Sequence, residues 1–178
     1  MVGYDNILKD GGKQDFKTIK YINSHEQNIN SIKSTTTYLG NYLIASAVNP
    51  DGDRKVILQA LSDIITVAGG YNYFTNIYAR GQKKSWLTGS WRDYNTSIYI
   101  YGNDPGSDVE VSTPYWGVQT FYVGTYQTSS DAKSLTVQLF NQIKIMSGYG
   151  DPIWFTKVNL RAHTGGTTPA TYAEINEQ

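Results

Sequence analysis

There is no cysteine among these 178 residues, which excludes disulfides, thiolate nucleophiles and thiolate zinc sites. Histidine is nearly as scarce, and His25 and His163 alone cannot assemble a histidine-rich metal site. An excess of either charge is also missing, since fifteen Lys and Arg offset fifteen Asp and Glu. A balanced chain has no global field to draw nucleic acid or an anionic membrane, and neither is an expected partner. No apolar run approaches the roughly eighteen residues that span a bilayer. Met1 leads straight into Val2-Gly3-Tyr4-Asp5-Asn6 with no basic-then-apolar progression, so no signal peptide is expected. The lack of cysteine fits folding in a reducing cytoplasm and equally a secreted bacterial protein.

Aromatic residues and glycine are abundant: fifteen Tyr, four Trp and seventeen Gly point to strands joined by many turns. Composition divides the chain into zones. Residues 1–14, with Asp10-Gly11-Gly12, read as an extended strip. Residues 15–34 place Ile19, Ile22, Ile29 and Ile32 at helical spacing among Lys, Asn, Gln and Ser, with Asp15 in the N-cap position before Phe16. Ile19, Ile22 and Ile29 take heptad-like positions, and Glu26 fills the intervening one. So thin a stripe needs a surface to pack on, either its own domain or copies of itself.

Residues 35–163 carry alternating, β-branched and aromatic segments bounded by turn residues. Strands are expected over Tyr38–Val48, Lys55–Val67, Tyr71–Arg80, Trp86–Trp91, Ser97–Tyr101, Val118–Tyr126, Ser134–Met146 and Ile153–Arg161. Turns fall at Asn49-Pro50-Asp51-Gly52-Asp53 and Gly102-Asn103-Asp104-Pro105-Gly106. Residues 164–178, rich in Thr, Gly and Pro, read as a surface tail. The expected fold is mainly β, a jelly-roll sandwich of about eight strands preceded by a short N-terminal helix.

Four of these segments, in order, resemble strands of carbohydrate-binding-module jelly rolls of the galactose-binding-like type. They are Tyr71–Gly81, Trp116–Tyr126, Ser134–Phe140 and Ile153–Leu160. The resemblance spans roughly residues 40–162 and implies packing roles for Trp116 and Trp154. That family's last strand usually carries Asp-Asp where this chain has Thr156-Lys157, which puts a structural cation in doubt. The strip, the Asn-rich helix and the small β domain together resemble the C-terminal domains of phage tail spikes. The neck appendages of short-tailed Bacillus phages are similar in the same way. That likeness implies an intramolecular chaperone that trimerises, cleaves itself near its own N-terminus and uses a bound nucleotide, ATP, in release. It further implies a preceding spike domain as partner and residence in the virion or in the host cytoplasm during assembly. The sugar-binding likeness implies a secreted or cell-surface protein instead.

Self-cleavage needs a scissile bond beside an acid, base or nucleophile. Gln14 and Asp15 lie at the strip–helix junction, where the aspartate could attack its own peptide carbonyl. Ser24, His25 and Glu26 could supply a hydroxyl, an imidazole and a carboxylate from a neighbouring chain. The plainer readings are an N-cap for Asp15 and a solvated helix face for His25 and Glu26. A helix contact between copies would use Ile19, Ile22, Glu26 and Ile29.

No phosphate loop is present, so a nucleotide would rest on aromatic stacking and on Arg80, Lys83, Lys84 and Arg92. A sugar would need aromatic platforms beside polar groups, and Trp86, Trp91, Arg92, Tyr94 and Tyr99 supply that mixture. In a regular strand Trp86 and Trp91 would face opposite ways unless a bulge at Gly89 realigned them. Asp51, Asp53 and Asp104 read as turn formers rather than metal ligands, and no metal is expected. No paired carboxylates or Ser/His/Asp grouping marks a hydrolase. A purely structural virion domain is the third expectation.

Overall fold

Runs in which every second side chain is apolar dominate the chain, and each forms a strand with one face on a shared core. The computed structural model describes residues 20–21, 41–103, 107–128, 131–148, 150–166 and 170–177. Its strands are β1 (Lys20–Tyr21), β2 (Tyr42–Val48), β3 (Arg54–Val67), β4 (Gly70–Lys84), β5 (Trp91–Asp93), β6 (Ile98–Gly102), β7 (Val109–Thr113), β8 (Gly117–Phe121), β9 (Thr125–Gln127), β10 (Ser134–Ile145), β11 (Trp154–Thr164) and β12 (Ala173–Glu177). The protein is mainly β, and no helix occurs among the described residues.

The strands form two antiparallel sheets. The first runs β1-β2-β3-β4-β10, with β5 on the end of β4. The second runs β8-β7-β11-β6-β9, with β12 also on β11. Leu43, Leu58, Tyr73 and Ile77 from the first sheet meet Ile100, Val111, Phe155, Leu160 and Ile175 from the second in one buried cluster. At roughly 1.5–3 kcal/mol for each fully buried large side chain, this cluster is the main term holding the sheets together.

Two irregularities tune the packing. The β4–β10 register shifts between Gln138 and Phe140. That shift sends both Leu139 and Phe140 toward the core, although they are adjacent in sequence. A second shift, between Phe155 and Lys157, passes over Thr156 on β11.

β6 and β7 lie end to end along one side of β11. The Asn159 carbonyl accepts from the Asn103 amide at 3.1 Å, and the Asn159 amide donates to the Asp108 carbonyl at 2.8 Å. The buried Asp108 carboxylate accepts from the Val123 amide at 2.7 Å. It packs so closely over Gly102 that a Cβ there would sit 1.9 Å from Asp108 Oδ2.

Within the stretch expected as a tail, β11 extends to Thr164, and Ala173–Glu177 form β12, which pairs with β11 through Ala173 and Ile175, both buried. The strand expected over Trp86–Trp91 is instead a tight connection from β4 that enters β5 only at Trp91, closed by Ser85 N to Ser90 O and Gly89 N to Ser85 O, both 2.8 Å. Gly89 adopts φ +67°, the left-handed region where glycine is favoured. Of the helix expected over 15–34, the described residues are Lys20–Tyr21, and these are extended and pair with Leu43 and Ile44 of β2. The remainder of that helix, with Ile19, Ile22, Glu26 and Ile29, lies outside the described residues.

Candidate functional site

Of the sequence-selected cleavage group, Gln14, Asp15, Ser24, His25 and Glu26 all lie outside the described residues. The sugar-face candidates are described, and they do not converge. Trp86 and Trp91 bracket the β4–β5 turn, Tyr94 packs inward, and Tyr99 sits on the other sheet.

Trp86 is 93% exposed, and Leu87 beside it is also exposed. The turn that carries them is fixed by Ser85 Oγ accepting from the Thr88 amide and by the Thr88–Ser90 hydroxyl pair at 2.6 Å. A rigid turn holding a tryptophan in water costs hydration free energy that a partner could recover. Trp91 is different. Lys55 Nζ lies 4.4 Å from its ring centroid and Lys84 Nζ 5.9 Å, so that ring already carries two cations. Arg92 stands exposed opposite Lys83 in the β4–β5 pair. Arg80, selected with them for a nucleotide, is buried and pairs with Asp93 at 3.5 Å.

Tyr94 lies over Gly81 and under the Arg54 guanidinium, 4.9 Å from its ring centroid. Burial pushes its phenol up, but hydrogen bonds with Thr164, Arg54 and Thr96, together with the Arg54 charge, leave it below the ordinary tyrosine value. It is a packing residue. The Asn49–Asp53 segment is a turn, as expected. Asn49 Oδ1 accepts from the amides of Asp53 and Arg54 at 3.1 and 2.9 Å, and Asn49 Nδ2 donates to Asp53 Oδ1 at 2.8 Å. Asp104 lies outside the described residues. No three His, Asp or Glu side chains converge on a metal position among the described residues.

The densest cluster of chemistry was not anticipated as a unit. β6 and β11 pair Tyr99 with His163 and Tyr101 with Arg161, and β12 pairs Glu174 with Arg161. The Tyr99 and His163 rings stack at 4.4 Å and 9°, and the Tyr101 ring lies beside both, 5.5 Å from His163 and 6.2 Å from Tyr99 and within 10° of parallel. The Tyr101 hydroxyl and His163 Nε2 are 2.9 Å apart. His163 Nδ1 lies 3.3 Å from the Thr164 carbonyl. A proton on Nδ1 therefore leaves Nε2 to accept from Tyr101. Tyr172 meets His163 edge-on at 5.1 Å. The Arg161 guanidinium lies 5.4 Å from the Tyr101 ring centroid and 5.1 Å from that of Tyr172. Burial pushes the Tyr101 phenol above its ordinary value, with Tyr172 and Tyr99 adding to the shift and Arg161 opposing it. Tyr101 thus stays a neutral donor. Tyr99 was legible as a polar-face aromatic, but its partners lie some sixty residues later and only strand register joins them.

Trp116 packs against the core, with Tyr73 at 5.6 Å and Phe140 at 5.5 Å, as expected. Trp154, half-buried, precedes the core residue Phe155 and stands outside the core cluster. No protein-family model matches the chain, and no curated protein or solved structure matches it.

Proposed function

We propose that this chain is the C-terminal domain of a phage tail spike or neck appendage, a jelly roll that associates with copies of itself. It promotes trimer assembly as an intramolecular chaperone and is released by self-cleavage near Asp15. The observation carrying the self-association is an apolar strip on the outer face of the first sheet. Register aligns Ile65 with Asn72 and Ile143 in one row, and Val67 with Gly70 and Ile145 in the next. Ile143 is 58% and Ile145 71% exposed. These rows hold no charged side chain, so identical surfaces approach without like-charge repulsion. They also border β10, a long strand at the end of the sheet order whose outer edge pairs with no strand among the described residues.

Native mass spectrometry tests the assembly: a trimer is expected, and Ile143→Asp with Ile145→Asp should shift it to monomer. A monomeric parent at micromolar concentration sinks the assembly reading. Intact mass tests the cleavage separately. Loss of residues 1–14 is the expected product, and an unchanged mass over days removes that step.

Trp86 favours a second reading, a non-catalytic carbohydrate-binding module. A tryptophan held in water by a hydrogen-bonded turn is a ready platform for a sugar ring. Glycan-array binding lost in Trp86→Ala supports it, and an array blank for the parent removes it.

A further inference from the structure

We propose that the outer face of the second sheet binds a carboxylate-bearing sugar, with Arg161 as its anchor. This site lies on the β6–β11–β12 cluster and does not depend on the assembly of copies.

Arg161 is a cation held in place, and its guanidinium meets no carboxylate in either ion pair found among the described residues. Its guanidinium is flanked by the Tyr101 and Tyr172 rings, which restrict its rotamers. Its Nε is buried with no hydrogen-bond partner. Arg54 pairs with Asp53 and Arg80 with Asp93, whereas Arg161 enters neither of these pairs. Glu174 faces it across the β11–β12 pair, exposed, and enters neither as well. A guanidinium presents a planar fork of donors that suits a carboxylate held by two parallel hydrogen bonds. Pre-ordering it between two rings lowers the entropy lost on binding.

The surroundings choose among anions. A polyphosphate needs several cations, whereas here Glu174 stands opposite the single guanidinium and repels concentrated negative charge. A sugar acid carries one carboxylate among several hydroxyls. Its carboxylate takes Arg161, its hydroxyls donate to Glu174, and the neutral Tyr101 phenol offers a further polar contact. Tyr99 and His163 each cover a face of the other, and the Arg161 guanidinium lies over the Tyr101 ring, which leaves these rings less aromatic surface for a ligand. Tyr172, turned 69° from His163 and exposed, keeps aromatic surface for the sugar's apolar side.

Calorimetry on the full chain tests this with four probes: an oligoglucuronate, its carboxyl-reduced neutral counterpart, sialyllactose and ATP. Either acidic sugar should bind, and the neutral counterpart should bind at least roughly tenfold more weakly, the scale of a lost charge-assisted pair. Arg161→Lys should weaken the acidic sugar about tenfold and Tyr172→Ala several-fold, while Trp86→Ala leaves it unchanged. Tyr172 is exposed, so its variant reports on the site even where an Arg161 variant folds poorly. Equal binding of acidic and neutral sugars overturns the proposal, as does tighter binding of ATP or failure of both acids to bind. Loss of binding in Trp86→Ala with Tyr172→Ala unaffected would move the sugar to the β4–β5 turn.

Discussion

Gly102 and Asp108 act as a pair. The carboxylate occupies the volume where any Cβ at position 102 would stand, and it holds the Val123 amide. Gly102→Ala must displace a buried, hydrogen-bonded charge and should cost at least about 2 kcal/mol, read from the urea midpoint. Asp108→Ala alone should also destabilise, and the double variant should cost less than the sum of the two, because they share one contact. Tyr73 gives a residue-scale prediction in pH. Its buried hydroxyl has no hydrogen-bond partner among the described residues, and burial pushes its pKa up to about 12, with Tyr115 and the Asp151 charge adding to the shift and the Asp151 backbone opposing it. The folded chain therefore keeps this proton where the unfolded chain, titrating near 10, has lost it. The contribution is complete below about pH 10 and is lost as pH rises toward 12. Tyr73→Phe should leave neutral-pH stability within about 1 kcal/mol and flatten the alkaline decline measured by denaturation at stepped pH.

At the scale of elements, β12 is the strand most easily undervalued. It is short and follows a Gly- and Thr-rich stretch, yet Ile175 is fully buried against the core. Ile175→Ala should cost about 2–5 kcal/mol by thermal or chemical denaturation, where a surface tail would give almost nothing. Sequence patterning locates β2, β3, β4, β6, β10 and β11 closely: most carry alternating apolar positions, and β3, buried on both faces over Lys55–Ser62, is an apolar run bounded by turn residues. It missed β7, whose Val109-Glu110-Val111 sits between a Pro- and Gly-rich turn and Pro114. It also fused β8 with β9, since Tyr122 and Val123 continue an aromatic run across the break that Gly124 makes at φ +65°. The Trp86–Trp91 segment looked strand-like for its aromatics, but Ser85, Thr88 and Ser90 side chains offered the backbone nearby partners and won it for a turn.

For the whole molecule, the two-sheet architecture was legible and the site was not. Strand count and turn spacing point to stacked antiparallel sheets. Nothing in one dimension says that Tyr99, Arg161 and Tyr172 meet. If copies associate through the Ile65–Ile143 rows, the melting temperature of the parent should rise with protein concentration, and that of the Ile143→Asp, Ile145→Asp variant should not. Differential scanning calorimetry over a hundredfold concentration range reads both.

The clamp that Asn159 makes on Asn103 and Asp108 has a use beyond stability. One residue of β11 grips the chain where it leaves the sheet and again where it returns, so the strand registers on either side do not depend on what joins them. Doubling a loop closed in this way costs only about 0.6 kcal/mol. The segment between Asn103 and Ser107 is therefore a port for cargo: a fluorescent peptide or affinity tag spliced there should leave the melting temperature nearly unchanged.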